Sequence, residues 1–358
     1  MEGPWIFMSK RESGLDLLRC LATLLVVMGH GFLSNGYFVI PQTGAQMWIA
    51  GSFQLMSRCS VGVFLLLTGY LQSRKTDWRS CYRGLPAVLL GYLLVAFISI
   101  PIRHFVFGDV QSLSTWMQRL FGYNGAYYGW YVEMYVGLTL LTPFINVALN
   151  NMSTKKLIGL SAVLLFLSAL PGVTRWVVVP DFYKALYPFS FYVLGAIFRR
   201  VQPKVHPLLG LGAAFASAFL MGAITVLSTD GNFQQATTWT FGDLGMVIVS
   251  VGLFLSMYRA KLPPFMGRFL AFAGTGSFGA YLLSHLLDAQ FYKFAAQWRY
   301  ERRMLLIFLC VTLPIYVASM LMGIGLDRVT RLLWKLIQKI TGRLYKLLPK
   351  KLLHRSAP

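Results

Sequence analysis

The run of residues 14–33, "GLDLLRCLATLLVVMGHGFL", decides how the rest of the chain is interpreted. It is apolar enough, and long enough, to cross a bilayer as a single helix. The same run carries Arg19 and His30, and a cation inside hydrocarbon costs free energy unless it has a partner or a water-filled cavity. We therefore predict a transmembrane helix whose polar residues face the interior of a helical bundle.

The composition of the whole chain agrees with a membrane location. Of 358 residues, 56% are hydrophobic and only 13% are charged, and the mean hydropathy is +0.58. A net charge of +21 would suggest nucleic-acid binding in a soluble protein. Here most of the excess lies in short loops and in the C-terminal tail, as expected at a membrane surface. The sequence predicts an integral membrane protein that contacts lipid and does not bind nucleic acid.

Apolar runs of nearly membrane-spanning length recur to about residue 326. No short apolar segment with a small-residue cleavage site begins the chain, so we expect the first run to be retained and not removed as a signal peptide. We predict ten transmembrane helices in one all-α bundle, over residues 14–33, 46–71, 84–102, 128–149, 157–172, 185–198, 207–228, 241–258, 269–291 and 304–326.

The distribution of positive charge predicts the orientation of these helices. If the N-terminus is cytoplasmic, 23 of the 33 Lys and Arg residues fall in cytoplasmic segments, as the positive-inside rule requires. We therefore expect both termini in the cytoplasm. Residues 1–326 are predicted to form the transmembrane domain and residues 327–358 a basic amphipathic tail. That tail is expected either to lie on the anionic inner leaflet or to extend the last span.

The cysteines are spaced neither as metal ligands nor as a disulfide framework. We predict that all of them are reduced residues that pack among the helices, and we predict no metal site. They are Cys20, Cys59, Cys81 and Cys310.

Arg19 and His30 share one face of the first predicted helix. Over the eleven residues from Arg19 to His30, an α-helix rotates by three turns plus about 20° and rises roughly 16 Å. Asp16 lies three residues before Arg19, close to the same face. Asp16 and Arg19 could simply neutralise each other while His30 packs near the outer surface. Because polar groups inside membrane spans are usually functional, we favour a functional role.

Further polar residues lie within other predicted spans. Arg58 is in the second span and Glu133 in the fourth, where they could form an ion pair, or Arg58 could face an anionic ligand. The ninth span carries Tyr281, Ser284 and His285, of which Tyr281 and His285 share a face. We take as acceptor-site or structural candidates Asp16, Glu133, Trp130, Tyr281, Ser284 and His285. Thr68 and Tyr131 are weaker candidates for the same interior.

The segment after the second span, residues 73–86, places several cations at the predicted cytoplasmic surface. A solvated loop is the simplest interpretation, and an anion site for a phosphorylated ligand is the alternative. The sequence is "SRKTDWRSCYRGLP", and its cations are Arg74, Lys75, Arg79 and Arg83.

A long phosphorylated molecule that enters from the cytoplasm would meet this basic segment first, then Arg19 and then His30. Acyl-CoA has the required shape, with a polyanionic head, a thin pantetheine arm and a thioester at its tip. His30 could act as general base on an incoming hydroxyl, or it could accept the acyl group covalently.

These stretches resemble the acyltransferase 3 family, which comprises multi-span membrane O-acyltransferases of bacterial surface glycans. The strongest element is an Arg-x10-His motif, matched by Arg19 and His30. The second-span block of the family is similar to "SRCSVGVFLLLTGY" at residues 57–70, and "WYVEMYVGLTLLTP" at residues 130–143 matches a later block. An R-x-x-x-R-x-x-P pattern is met by Arg79, Arg83 and Pro86. With the ninth-span block, five motifs occur in the family's order.

The resemblance extends to about residue 326. It implies transfer of an acyl group, usually acetyl, from cytoplasmic CoA to a sugar hydroxyl at the bacterial cytoplasmic membrane. Acetyl-CoA or another acyl-CoA would be a co-substrate, and no cofactor would be bound permanently. The resemblance also implies that His30 is catalytic and that Arg19 binds or supports the acyl donor. We assign Arg58, Arg79 and Arg83 to the same donor side.

The sequence departs from the family pattern at two places. Tyr128 stands where many members have a histidine, and we assign it no role. One residue more than usual separates Tyr281 from His285, so either Ser284 or His285 occupies the family's histidine position.

Two other functions compete with acyl transfer. A transporter or flippase of a polyprenyl-linked glycan would also need intramembrane cations, but internal repeats are typical of transporters and none is evident. A non-enzymatic scaffold would leave Arg58, Glu133 and the Arg19–His30 spacing unexplained. We therefore favour an O-acyltransferase that acts on a glycan or its lipid-linked precursor.

Overall fold

The computed structural model describes residues 12–34, 44–110, 112–126, 128–170, 179–228, 239–298 and 303–347. Within these ranges the chain forms helices, turns and loops, and no strand is present. The first half contains α1 (Ser13–Ser34), α2 (Gly44–Arg58), α3 (Ser60–Gln72), α4 (Trp78–Tyr82), α5 (Leu85–Phe105), α6 (Leu113–Phe121) and α7 (Trp130–Asn151). The second half contains α8 (Thr154–Ala169), α9 (Tyr187–Val201), α10 (Pro207–Ser228), α11 (Leu244–Met257), α12 (Pro264–Ala273), α13 (Ser277–Ala296) and α14 (Met304–Leu347).

A helix lies at each of the ten predicted spans. Among the described residues, seven helical stretches are long and apolar enough to cross a membrane. At the other three predicted spans lie α8, α9 and α11, with 16, 15 and 14 residues. The all-helical, multi-span architecture is therefore confirmed. The number of crossings and the cytoplasmic location of both termini stay predictions.

Helix α1 lies at the centre of the fold and contacts α2, α3, α11, α12, α13 and α14. Its apolar side chains supply part of the main core, and Leu18, Ala22 and Val27 are fully buried. Because neighbours cover most sides of α1, its polar residues are held inside protein and not in lipid.

The second predicted span is one helical stretch with a local irregularity at Cys59. Helix α2 ends at Arg58 and α3 begins at Ser60, and Cys59 between them keeps right-handed helical dihedral angles. The Cys59 carbonyl accepts hydrogen bonds from the Val63 N–H at 2.9 Å and from the Ser250 hydroxyl at 3.2 Å. From Met47 to Gln72 the two helices together are long and apolar enough to cross a membrane.

Close packing between α3 and α9 depends on small residues. A Cβ atom added at Gly69 would lie 2.1 Å from the Tyr192 carbonyl oxygen, and one added at Gly195 would lie 2.3 Å from that of Leu66. Only glycine permits this approach, which is typical of helix pairs in membranes.

Helix α14 continues without a break for 44 residues, or roughly 66 Å at the usual rise per residue. The basic residues of the predicted tail up to Lys339 therefore lie on an extension of the last helix. Residues 348–358 of that tail lie outside the described residues.

The cysteines are free thiols, as predicted. Cys20, Cys59 and Cys81 are buried. Cys310 is exposed on α14, so the prediction that it packs in the interior is wrong.

Candidate active site

A cavity of about 440 Å³ opens inside the bundle along one side of α1. Its lining includes Arg19 near the start of α1 and Leu33 near its end, so it follows the helix for roughly 21 Å. Helices α2, α3, α5, α7 and α13 supply most of the other walls. The volume lies within the range of small-molecule sites, and the position at a helix interface is typical of them.

His30 lies in this lining, eleven residues beyond Arg19. Its imidazole stacks on the Tyr128 ring, with centroids 3.3 Å apart and planes inclined by 16°. On the other side its Nδ1 atom lies 3.2 Å from Ser284 Oγ and 3.7 Å from Asp288 Oδ2. Side chains from α1, from α13 and from the turn before α7 therefore converge on one imidazole.

Asp288 is almost completely buried, with 1% of its surface exposed. The Tyr128 hydroxyl donates a hydrogen bond to Asp288 Oδ2 at 3.3 Å, and the Ser284 hydroxyl also interacts with this carboxylate. Among the described residues, Asp288 Oδ1 has no hydrogen-bond partner. A buried carboxylate is costly unless it is paired, so its position against His30 indicates a role tied to the charge of the imidazole.

Tyr281 holds Tyr128 in this arrangement. Its hydroxyl donates a hydrogen bond to the Tyr128 main-chain carbonyl, and its ring lies 6.1 Å from that of His30. Tyr281 and Ser284 both lie on α13. One helix therefore holds the Tyr128 ring that stacks on the imidazole and supplies the hydroxyl next to Nδ1.

The arrangement suits proton transfer by His30. With Nδ1 directed at Ser284 and Asp288, the Nε2 atom is the nitrogen that remains for a molecule in the cavity. When Nδ1 carries the proton, Nε2 holds a lone pair and can accept a proton from a substrate hydroxyl. An ionised Asp288 would stabilise the imidazolium that forms and hold the ring in this tautomer.

Comparison with known proteins gives one result that identifies the chain's family. Residues 12–326 match the family model of the acyltransferase domain Acyl_transf_3. The chain belongs to the acyltransferase 3 family. No curated protein and no solved structure matches it significantly. Family membership makes the chain a membrane acyltransferase, and the matched region contains every residue of the site described above.

Both of the interpretations considered for Arg19 have support in this acyltransferase. Arg19 Nη1 lies 2.9 Å from Asp16 Oδ1, so the predicted ion pair is present. Arg19 also lines the cavity, with 26% of its side chain exposed. Beside it is the turn of residues 274–276 that connects α12 to α13, where a Cβ on Gly274 would lie 3.6 Å from Arg19 Nη1.

Arg58 lines the cavity of the acyltransferase. Its guanidinium is 5.1 Å from the centroid of the Phe241 ring. The Asp243 carboxylate acts electrostatically on it. Glu133 is exposed and does not line the cavity, so the structure does not support the ion pair with Arg58 that the sequence left open.

Arg79 and Arg83 do not reach the cavity. Both are exposed, and Arg79 lies over the ring of its neighbour Trp78 at 5.4 Å. They belong to the short helix α4 and to the residue that ends it, next to the C-terminal end of α3. Any contact they make with a substrate would therefore be at the protein surface.

The ninth-span candidates separate clearly. Tyr281 lines the cavity, and Ser284 lies directly behind His30. His285 lies outside the lining, and its Nδ1 is 2.7 Å from the Leu282 carbonyl oxygen, to which it donates. The structure therefore places Ser284, and not His285, against the imidazole. The other predicted lining residues that the cavity contains are Thr68, Trp130 and Tyr131.

Sequence reasoning missed Tyr128 and Asp288. Asp288 is the one acidic residue in the predicted ninth span, and it follows Ser284 by four positions, on the same helix face. An acid within an apolar run is a functional signal by default, so it could have been found. The signal for Tyr128 was its place at a position where many family members have a histidine, but its contact with His30 depends on how the helices pack.

Proposed function

We propose that the protein transfers an acyl group, most simply acetyl, from cytoplasmic acyl-CoA to a hydroxyl of a cell-surface glycan or its lipid-linked precursor. The observation that carries the proposal is the position of His30, backed by Ser284 and Asp288, part-way along a cavity that continues past it in both directions. The protein would act in the bacterial cytoplasmic membrane.

The Arg19 end of the cavity suits the acyl donor. Under the predicted orientation this end faces the cytoplasm, where CoA is found. The rise of roughly 16 Å from Arg19 to His30 would be spanned by an extended pantetheine arm, which is thin enough for a largely apolar passage. The CoA phosphates would remain near Arg19 and near the surface cations Arg79 and Arg83.

The chemical step follows from the state of His30. Nε2 takes the proton of the acceptor hydroxyl as the oxygen attacks the thioester carbonyl. The tetrahedral intermediate then collapses, the carbon–sulfur bond breaks, and the CoA thiolate takes the proton from the imidazolium. The products are an ester and free CoA, with no further reactant. In the covalent alternative, Nε2 attacks the thioester carbonyl and displaces the CoA thiolate. The acyl group then passes from Nε2 to the hydroxyl, and the hydroxyl proton goes to the thiolate.

Label transfer tests this proposal. Membranes that contain the protein are given acetyl-CoA labelled on the acetyl group, and label released by mild base is measured. We expect release from the wild type and none from His30→Ala. His206→Ala is the matched control, because it removes an exposed imidazole in the loop before α10, outside the cavity lining. Equal release from wild type and His30→Ala would refute the proposal.

A transporter or flippase of a polyprenyl-linked glycan is the second candidate. It is favoured by Arg19 and Arg58 in the cavity lining, because a carrier of a pyrophosphate would need cations within the membrane. The two candidates differ in the effect of His30→Ala. An acyltransferase loses ester product while glycan movement across the membrane is unchanged, whereas a transporter would show altered movement and no labelled ester in either protein.

A further inference from the structure

The part of the cavity beyond His30 differs in chemistry from the Arg19 end. Residues from the last turn of α2 and aromatic rings near α7 and α11 line it together. We propose that this part is a saccharide subsite, in which the acceptor's sugar ring packs on an aromatic surface and pairs with a buried amide. The inference rests on the proposed function and deepens it. The subsite comprises Gln54, Ser57, Arg58, Trp130 and Phe241.

Gln54 gives the first indication of a missing ligand. It lines the cavity and is only 4% exposed, yet among the described residues its Oε1 atom has no hydrogen-bond partner. Buried polar atoms are nearly always paired, and an unpaired one is costly. A hydroxyl of a bound molecule would satisfy this acceptor.

The close approach at Gly29 places Ser57 level with the catalytic imidazole. A Cβ atom at Gly29 would lie 3.0 Å from Ser57 Oγ, so the last turn of α2 lies against the α1 backbone one residue before His30. Ser57 donates its hydroxyl proton to the Gln54 main-chain carbonyl oxygen at 2.6 Å, which leaves the oxygen of that hydroxyl able to accept from a ligand. Gln54 lies about one helical turn before Ser57, so a molecule held by both side chains would be near His30.

The aromatic part of the subsite is a stacked pair. The Trp130 and Phe241 rings are 5.2 Å apart and inclined by 19°, and Trp130 remains 36% exposed. Arg58 lies over Phe241 and adds N–H donors beside the flat surface. An indole next to amide, hydroxyl and guanidinium groups matches a pyranose ring, which offers an apolar C–H face and a rim of hydroxyls.

Charge favours a neutral sugar over a pyrophosphate here. Asp243 is 1% exposed, and its carboxylate acts electrostatically on Arg58. A polyanionic group would meet that carboxylate as well as the guanidinium. The subsite is therefore assigned to the sugar that carries the reacting hydroxyl, and not to a lipid diphosphate.

Purified protein, labelled acetyl-CoA and simple acceptors test the subsite. The probes are octyl β-glycosides of glucose, galactose and N-acetylglucosamine, with octanol as an alcohol that lacks a sugar ring. We expect ester formation with at least one glycoside and not with octanol. Gln54→Leu and Trp130→Leu should each raise the KM for that glycoside about tenfold or more and leave the KM for acetyl-CoA within about twofold.

Two matched variants control for general damage to the fold. Gln72→Leu also removes a buried amide whose Oε1 lacks a partner among the described residues, and Trp334→Leu removes an indole on the extension of α14, both outside the cavity. Both should behave as wild type. Three results overturn the saccharide subsite and leave acyl transfer standing. They are an unchanged glycoside KM in Gln54→Leu and Trp130→Leu, a rise in the acetyl-CoA KM instead, and equal acylation of octanol. Acetyl-CoA binding without transfer to any glycoside or to membrane glycan overturns the proposed function itself.

Discussion

Replacement of Asp288 by asparagine is the sharpest test of the site. The change keeps the size of the side chain and removes the ionisable carboxyl group that faces His30. With Oδ2 at 3.7 Å from His30 Nδ1 and an effective dielectric constant of about 20, Coulomb's law gives an attraction of about 4 kcal/mol for the carboxylate–imidazolium pair. That attraction exists only once His30 has taken a proton, so its loss raises the barrier and not the substrate affinity.

A barrier increase of about 4 kcal/mol corresponds to a fall in kcat of about a thousandfold. Single-turnover transfer of labelled acetyl from acetyl-CoA measures it directly, with the KM for acetyl-CoA expected to stay near the wild-type value. Ser284→Ala provides the comparison at the same imidazole. It removes the neutral hydrogen bond to His30 and the hydroxyl's interaction with the Asp288 carboxylate, together about 2.5 kcal/mol, and should lower kcat about seventyfold.

Asp327→Asn is the control for loss of an acidic residue, because Asp327 pairs with Arg331 on the extension of α14, away from the cavity. It should have wild-type kinetics. If Asp288→Asn lowers kcat no more than Ser284→Ala does, the carboxylate does not act on the imidazolium and the arrangement proposed here is wrong.

Three further changes probe separate parts of the molecule. Arg19→Ala should raise the KM for acetyl-CoA about tenfold, and His30 should still turn over the donor that binds. Unchanged acetyl-CoA binding in a filter assay would contradict the proposed donor route. Tyr128→Phe keeps the stacked ring and loses one hydrogen bond to the buried carboxylate, so kcat should fall about five- to thirtyfold in the same transfer assay. Gly69→Val forces a side chain against the Tyr192 carbonyl and should lower the thermal midpoint in detergent markedly, whereas the same change at Gly159, which has open space, should not.

The sequence by itself determined the class of the protein and the placement of its helices. Apolar runs report membrane helices directly, because the bilayer demands about twenty apolar residues for each crossing. The sequence also determined that Arg19 and His30 share one face of the first helix, since the α-helix has 3.6 residues per turn. For the same reason, the ion pair of Asp16 with Arg19, which are three residues apart, could be predicted.

Only the tertiary structure decided which groups meet across helices. His30 contacts Ser284 although 254 positions separate them, and Tyr128 reaches the same imidazole from the turn before α7. Periodicity shows which residues share a face of a helix, but it does not say which helix packs against that face or at what depth.

The errors of sequence reasoning have the same origin. A Glu133–Arg58 ion pair was considered because both are ionisable groups in apolar runs, whereas the structure leaves Glu133 exposed and outside the cavity. Arg79 and Arg83 also lie outside the cavity, and their role on the donor side stays a prediction. Helix neighbours are selected by the fit of small and large side chains over the whole bundle, which is a property of the assembled structure and not of any one segment.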